Sequence, residues 1–300
     1  AVGLPDGAFR SIFPVNFFIR SFPARTSAEA TVFPAPRSCQ AAAAPEGKKS
    51  LGDHASSRRG FVAKPGHKFF ACDYSQVELR VLAHMSQDEA LLNAFREGQD
   101  IHATTAAAVY SIPVEEVTYN QRRFAKAVNF GLIYGMGAFR LSRDSDLTLG
   151  EAETYIKEYF GRFPGIQRFL DETKQTAQEQ GYVETLLGRR RYFPVFKGKM
   201  GGSNRQAWLR AEREAINHPI QGTAADIIKL AMLRLHAALA ADYKARILLQ
   251  VHDELLLEVP DDEMDTVPAL VIDIMSHAYK LDVPLKVDAS SGANWLELKD

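Results

Sequence analysis

The 300-residue chain carries 36 Lys+Arg against 37 Asp+Glu, a formal net charge of −1 with histidine neutral. That balance argues against holding nucleic acid by bulk charge but leaves room for a local basic groove. At 46% hydrophobic and 24% charged the composition is globular rather than disordered or fibrous. A chain of this length buries roughly 75% of its unfolded surface, enough for one or two domains. The two cysteines, Cys39 and Cys72, exclude a disulfide framework and a four-cysteine zinc site and point to a reducing compartment. No apolar run approaches the roughly 20 residues of a membrane helix.

Residues 1–58 are rich in Pro, Ala, Ser and Arg and poor in acids and in hydrophobic periodicity. They read as an irregular, poorly ordered extension, with a weak suggestion of an organellar transit peptide. The chain begins on Ala1, which suggests a fragment or a processed product. Order is expected from about Arg59. Lys64-Pro65-Gly66-His67 reads as a turn, and Phe69–Cys72 as a buried strand ending on Asp73. Glu78 to about Phe95 has helical spacing, Gly98-Gln99-Asp100 breaks it, and Ile101–Tyr110 resumes it. A helix is expected over 120–134. Thr148-Leu149-Gly150-Glu151 is a capping box opening a helix to about Phe160; Phe163-Pro164-Gly165 stops it, and a further helix runs to about Glu179. Gly181–Leu187 reads as a strand, and Asn204–Ala240 as a long helix. Ile247–Val251 and Leu255–Val259 form a hairpin around His252-Asp253-Glu254. A helix over Met264–Tyr279 and a strand near Leu285–Val287 close an α+β architecture.

Three segments could carry chemistry. Asp73-Tyr74-Ser75-Gln76-Val77-Glu78 places an acid at the exit of a buried strand, where a hard cation could use it; a helix cap is the plainer reading. Gln250-Val251-His252-Asp253-Glu254 places an acid at a hairpin tip, where Asp is also an ordinary turn residue. A metal phosphohydrolase built on His252-Asp253 would need further histidines, and His236 and His277 show no ligand pattern. In the third segment, Arg122, Lys126, Phe130 and Tyr134 fall on one helical stripe. Two cations followed by two aromatics could hold a triphosphate at one end and a base at the other, or could be a solvated face grading into the core.

Together these segments, Arg122-Arg123-x-x-Lys126-x-x-Asn129-Phe130-Gly131-x-x-Tyr134-Gly135 among them, resemble the three polymerase motifs of DNA polymerase family A. The resemblance covers about residues 58–300, including Asp100-Ile101-His102, Gly188-Arg189-Arg190-Arg191 and Asn217-His218-Pro219-Ile220-Gln221-Gly222. It implies a right-hand polymerase, with an antiparallel palm sheet from 59–78 and 206–300 and helical fingers from 79–205. It further implies that Asp73 and Asp253 are catalytic carboxylates binding two Mg²⁺ ions. Arg122 and Lys126 resemble a triphosphate clamp and His102 a further phosphate contact. Phe130 resembles a residue stacked near the incoming sugar, Tyr134 a ring covering the templating pair, and Glu78 a steric gate against ribonucleotides. Arg213, Asn217, Gln221 and His252 resemble contacts to primer–template DNA, with Glu254 supporting the primer end.

The implied function is template-directed DNA synthesis from dNTPs on primer–template DNA, by a monomer with no membrane partner. The bacterial cytoplasm is the expected location and an organellar matrix the second choice. The thumb, the Arg- and Asn-rich segment before the palm strand, and the nuclease domains of full-length relatives are not recognisable here, apart from Arg58-Arg59-Gly60-Phe61. A truncated polymerase core is therefore expected, with a catalytically incompetent binding remnant as the alternative. Between Leu186 and Arg213 there are eight Lys/Arg and one acid, and between Gln250 and Asp300 twelve acids and three lysines. Near-neutrality thus averages an expected basic groove with an acidic back.

Overall fold

A computed structural model describes residues 58–299 apart from 111, 145 and 146; all but the last residue of the expected N-terminal extension lies outside the described residues. Four strands make the central sheet: β1 (His67–Tyr74), then far along the chain β4 (Arg246–Val251), β5 (Glu254–Pro260) and β6 (Val287–Gly292). Their order is β4-β5-β1-β6, antiparallel throughout. Strand β1 is central because both its faces are apolar. Phe69 and Ala71 pack with Leu256 and Leu298 on one side, while Phe70, Cys72 and Tyr74 join Leu255, Leu257 and Val259 in the main core. Each such side chain fully removed from water contributes roughly 1.5–3 kcal/mol.

The helices follow chain order: α1 (Val77–Ser86), α2 (Glu89–Arg96), α3 (Ile101–Tyr110), α4 (Tyr119–Ile133), α5 (Ala138–Arg143), α6 (Leu149–Arg162), α7 (Pro164–Gln180), α8 (Arg205–Asp242) and α9 (Val267–Ser276). A small hairpin, β2 (Tyr182–Glu184) with β3 (Arg190–Tyr192), lies between α7 and α8. At 38 residues, α8 is about 57 Å long. Its Ile216, Ile220, Ile227 and Leu235 are buried in the core that also takes Leu79 and Leu82 of α1 and Ile166 and Leu170 of α7.

The α+β class expected from the sequence is borne out, with four local corrections. The single helix expected over Glu78–Phe95 is two, because Gln87 turns left-handed (φ 50°) and Asp88 caps α2, accepting from Leu91 N at 3.1 Å. The other oxygen of Asp88 accepts from Gly165 N at 2.8 Å, so a contact from 77 residues away sets the break. The strand expected over Gly181–Leu187 is only three residues long and pairs with the arginine run, whose Arg190 lies over the Tyr182 ring and bonds Glu184 at 2.5 Å. The closing strand is Val287–Gly292 rather than Leu285–Val287; Leu285 is buried in the core, and the polar strand follows as the sheet edge. The last helix is shorter than Met264–Tyr279, spanning Val267–Ser276.

Candidate functional site

Strand β1 delivers Asp73 to one end of the sheet. In register it faces Glu254 on β5 and Asp288 on β6. The β4–β5 turn has only two residues, His252 and Asp253, between the paired Val251 and Glu254. A two-residue turn needs a left-handed position, ordinarily glycine, and here His252 takes it at φ 58°. This holds Asp253 beside the end of β1, where Tyr74 N donates to Asp253 O at 3.3 Å. Two acids 180 residues apart in sequence thus share one end of the sheet. Glu254 is buried (4% exposed) and its Oε1 accepts from Trp295 Nε1 at 3.3 Å, whereas His252 is exposed at the tip.

After β1 the chain turns through Gln76, again left-handed at φ 56°, and α1 begins with Glu78 in its first turn. Burial pushes the Glu78 carboxyl up, a bond donated by Tyr134 Oη pulls it down, and the nearby Asp253 carboxylate pushes it up again; the net direction is up. Arg80, two residues on, is buried over the Phe95 ring; its Nε donates to Ser75 O at 2.9 Å and its Nη1 to Pro284 O at 2.6 Å. It pins the turn after β1 to the segment before β6.

Helix α4 starts from a complete capping box, Thr118 with Gln121. Its exposed side carries Arg122 and Lys126, and the half-buried Phe130 and Tyr134 continue the stripe towards its C-terminus. The Phe130 and Tyr134 rings stack at 6.5 Å and 29°. Tyr134 is also bonded by Gln221 of α8. The next residue, Gly135, has φ 76°, and a Cβ there would lie 3.1 Å from Cγ of Arg213 and 3.2 Å from Ile216. The end of α4 is therefore seated against the exposed Arg213 and Gln221 of α8. Asn217, between them on α8, is half-buried with Oδ1 shielded from solvent.

At the other end of the stripe, Asp100 accepts from Arg122 Nε at 2.5 Å and from the His102 and Ala103 amides at 3.0 and 3.1 Å. It caps α3 and braces α4 with one carboxylate. His102 is 1% exposed, its ring 5.9 Å from Phe130. Burial pushes its pKa down to about 4, with Asp100 opposing and Lys126 and Arg122 reinforcing.

One continuous surface therefore links the acid pair to Glu78, Tyr134 with Gln221, Phe130, and the Arg122/Lys126 end. Sequence reasoning named these residues but missed Asp100 as brace, Arg80 as pin and Asn129 as the partner of His102. Asp100 had a signal, since an acid directly before a periodic apolar run is a helix cap. Four of the eight cations of the expected basic stretch are paired with acids: Arg189 with Asp226, Arg190 with Glu184, and Arg191 and Arg210 with Glu214. Among the described residues no group of three or more His, Cys, Asp or Glu is arranged to hold a metal. Asp73 and Asp253 form a two-carboxylate set, which suits a hard cation completed by water and phosphate oxygens and not a zinc or copper centre. No described helix is long and apolar enough to cross a membrane.

Residues 46–297 match the profile of DNA polymerase family A. The chain is 49% identical over 241 residues to DNA polymerase I of Pseudomonas aeruginosa, covering 80% of this chain and 26% of the relative. It is 46% identical over 243 residues to the thermostable DNA polymerase I of Thermus aquaticus, covering 81% and 29%. The chain thus spans about a quarter of the length of these curated relatives. Among solved structures it is similar to the POL domain of Pol1 from M. smegmatis, in complex with DNA primer-template and dNTP, with TM-score 0.79 and 41% identity over 84% of this chain and 44% of that one.

Proposed function

The chain belongs to DNA polymerase family A, and on that premise we propose that it is the catalytic core of a template-directed DNA polymerase, transferring nucleotides from dNTPs to a primer 3′-hydroxyl. The observation that carries the proposal is the joining of the two-acid end of the sheet to the cation–aromatic stripe of α4 through the Tyr134–Glu78 bond. A phosphoryl-transfer site needs charge neutralisation at the triphosphate, an acid pair at the reacting phosphate and rigid positioning between them.

Asp73 and Asp253 sit on a strand end and a two-residue turn, so their separation is set by the sheet rather than by flexible loops. Two Mg²⁺ ions held there by Asp73, Asp253 and the nucleotide's own oxygens would activate the 3′-hydroxyl and neutralise the leaving pyrophosphate. Arg122 offers a planar fork and Lys126 a point charge to the β- and γ-phosphates. With Nε taken by Asp100, the Nη groups of Arg122 are the donors proposed for the phosphates. His102 meets the triphosphate as a neutral ring. Phe130 and Tyr134 present stacked faces to the sugar and base, and the Glu78 carboxylate, held by Tyr134, fills the space a 2′-hydroxyl would need. Arg213, Asn217 and Gln221 lie along one side of α8, and His252 at the turn, as contacts for the primer–template minor groove.

The chain is proposed to act as a monomer in the bacterial cytoplasm. A metal phosphohydrolase built on His252-Asp253 gains no support, because His252 has no metal-ligand cluster around it among the described residues. A binding remnant remains the competing reading and separates by assay. At low salt, which favours weak duplex binding, the chain with Mg²⁺ and a primer–template should add the complementary dNTP and reject the other three. Retained dNTP binding with no extension at any enzyme concentration would establish the remnant.

A further inference from the structure

We propose that Asn129 is a positioning residue that holds the His102 imidazole in the neutral tautomer protonated on Nε2, so that the ring presents an N–H donor to a triphosphate. The use made of that donor rests on the reading of His102 as a phosphate contact; the tautomer rests on the hydrogen-bond chain alone.

The polarity of that chain starts at a backbone carbonyl. Ile101 O can only accept, so the Thr105 hydroxyl, 2.7 Å away, donates its single proton there. Thr105 Oγ1 then meets Asn129 at 3.1 Å with only lone pairs to offer. The amide must therefore turn Nδ2 towards it; reversed, Asn129 Oδ1 would face an oxygen with no proton left to share. Nδ2 carries two hydrogens, and the second points at His102 Nδ1, 3.2 Å away. Nδ1 must accept, which places the ring proton on Nε2. His102, Thr105 and Asn129 are each 1% exposed, so water does not compete for these bonds. The cost of the arrangement is visible in Asn129 Oδ1, buried with no partner among the described residues. A leucine would fill this position on α4 without that cost, so the amide has a task other than packing.

The charged groups around the ring are consistent with a neutral donor. Asp100 favours the imidazolium, but Lys126 and Arg122, with burial, keep the ring uncharged at neutral pH. Asn129 lies between Lys126 and Phe130 on α4 and reaches His102 and Thr105 on α3. The same bonds that orient the ring therefore register the two helices that carry the triphosphate contacts.

The test is a long-range ¹H–¹⁵N correlation spectrum of the full chain labelled with ¹⁵N-histidine at pH 7, with His102 assigned by its absence in His102→Gln. The expected pattern is Nε2 protonated and Nδ1 unprotonated. In Asn129→Asp the carboxylate can only accept, so the unprotonated Nδ1 signal is lost and the titration midpoint of His102 moves up. Thr105→Val removes the acceptor that orients the amide, and the single pattern gives way to a mixture; it serves where Asn129→Asp does not fold. A wild-type His102 protonated on Nδ1, or a wild-type pattern kept in folded Asn129→Asp and Thr105→Val, overturns the assignment. Titrating dATP into the same samples separates the two layers. A shift of Nε2 supports the donor role, and an unmoved Nε2 in the expected tautomer overturns the phosphate contact while the tautomer stands.

Discussion

Replacing Asp100 by Ala removes two functions at once, and their sizes follow from the geometry. The carboxylate caps α3 through two amides and braces Arg122 at 2.5 Å. Losing an Asp N-cap costs about 1 kcal/mol, within a range of roughly 0.5–2. The ion pair is about two-fifths exposed on each side, Arg122 at 40% and Asp100 at 38%, and at such exposure is worth roughly 0.2–1 kcal/mol. Asp100→Ala should therefore destabilise the chain by about 1.5 kcal/mol at pH 7, read from urea unfolding. The pH dependence has a definite sign. Burial alone raises the Asp100 pKa, but the bonds from Arg122, Ala103 and His102 outweigh it and hold the carboxyl below its usual range. A depressed native pKa contributes stability above the unfolded value of about 3.9 that is lost as pH falls through the native value. The difference between wild type and variant should thus be full at pH 7 and shrink as pH falls below about 3.9. Freeing Arg122 adds about 0.5–1.5 kcal/mol of side-chain ordering to nucleotide binding, so the KM for dNTP should rise about two- to tenfold with kcat little changed. A stability loss under about 0.3 kcal/mol, or one independent of pH, would refute the dual role.

Other perturbations probe neighbouring links. Gly165→Ala would put a Cβ 2.8 Å from the Asp88 Cα and 3.0 Å from its Oδ2; backbone cannot yield there, so a loss of about 2–3 kcal/mol in denaturant unfolding is expected from overpacking, and a change within 0.5 kcal/mol would contradict it. Glu78 has its pKa raised in the native state, first by burial and also by Asp253, so its ionised form costs stability above the native pKa and that cost vanishes as pH falls below the unfolded value. Glu78→Gln should accordingly raise the unfolding midpoint at pH 7 and leave it unchanged near pH 3; equal effects at both would remove the linkage. Glu78→Ala should ease ribonucleotide incorporation, measured as the ratio of dNTP to rNTP efficiency, and an unchanged ratio would remove the gate.

Much of this was legible in the residues because the decisive elements have local signatures. The apolar runs around Asp73 and Asp253 mark strands, and the four-residue spacing of Arg122, Lys126, Phe130 and Tyr134 marks one helical stripe. What could not be read depends on distant partners. The break at Gln87-Asp88 is fixed by the Gly165 amide, and the polar strand β6 exists only because β1 offers it an edge. The burial of His102 and its bond to Asn129 join residues on different helices, as does the bond between Tyr134 and Glu78. The charge reading was the most misleading. Eight cations between Leu186 and Arg213 suggest a basic groove, but the chain folds Glu184, Glu214 and Asp226 onto four of them. Net charge along a stretch is a poor guide when acids elsewhere pack against it.

The central claim is that Asp73 and Asp253, brought together by the sheet, form one phosphoryl-transfer site. Primer extension with Mg²⁺, comparing wild type with Asp73→Ala and Asp253→Ala at matched folded concentration, tests it most directly. Extension by the wild type, abolished in each variant while its circular dichroism and dNTP affinity for the Arg122–Lys126 end persist, is the predicted result. Appreciable extension by either folded variant would contradict it.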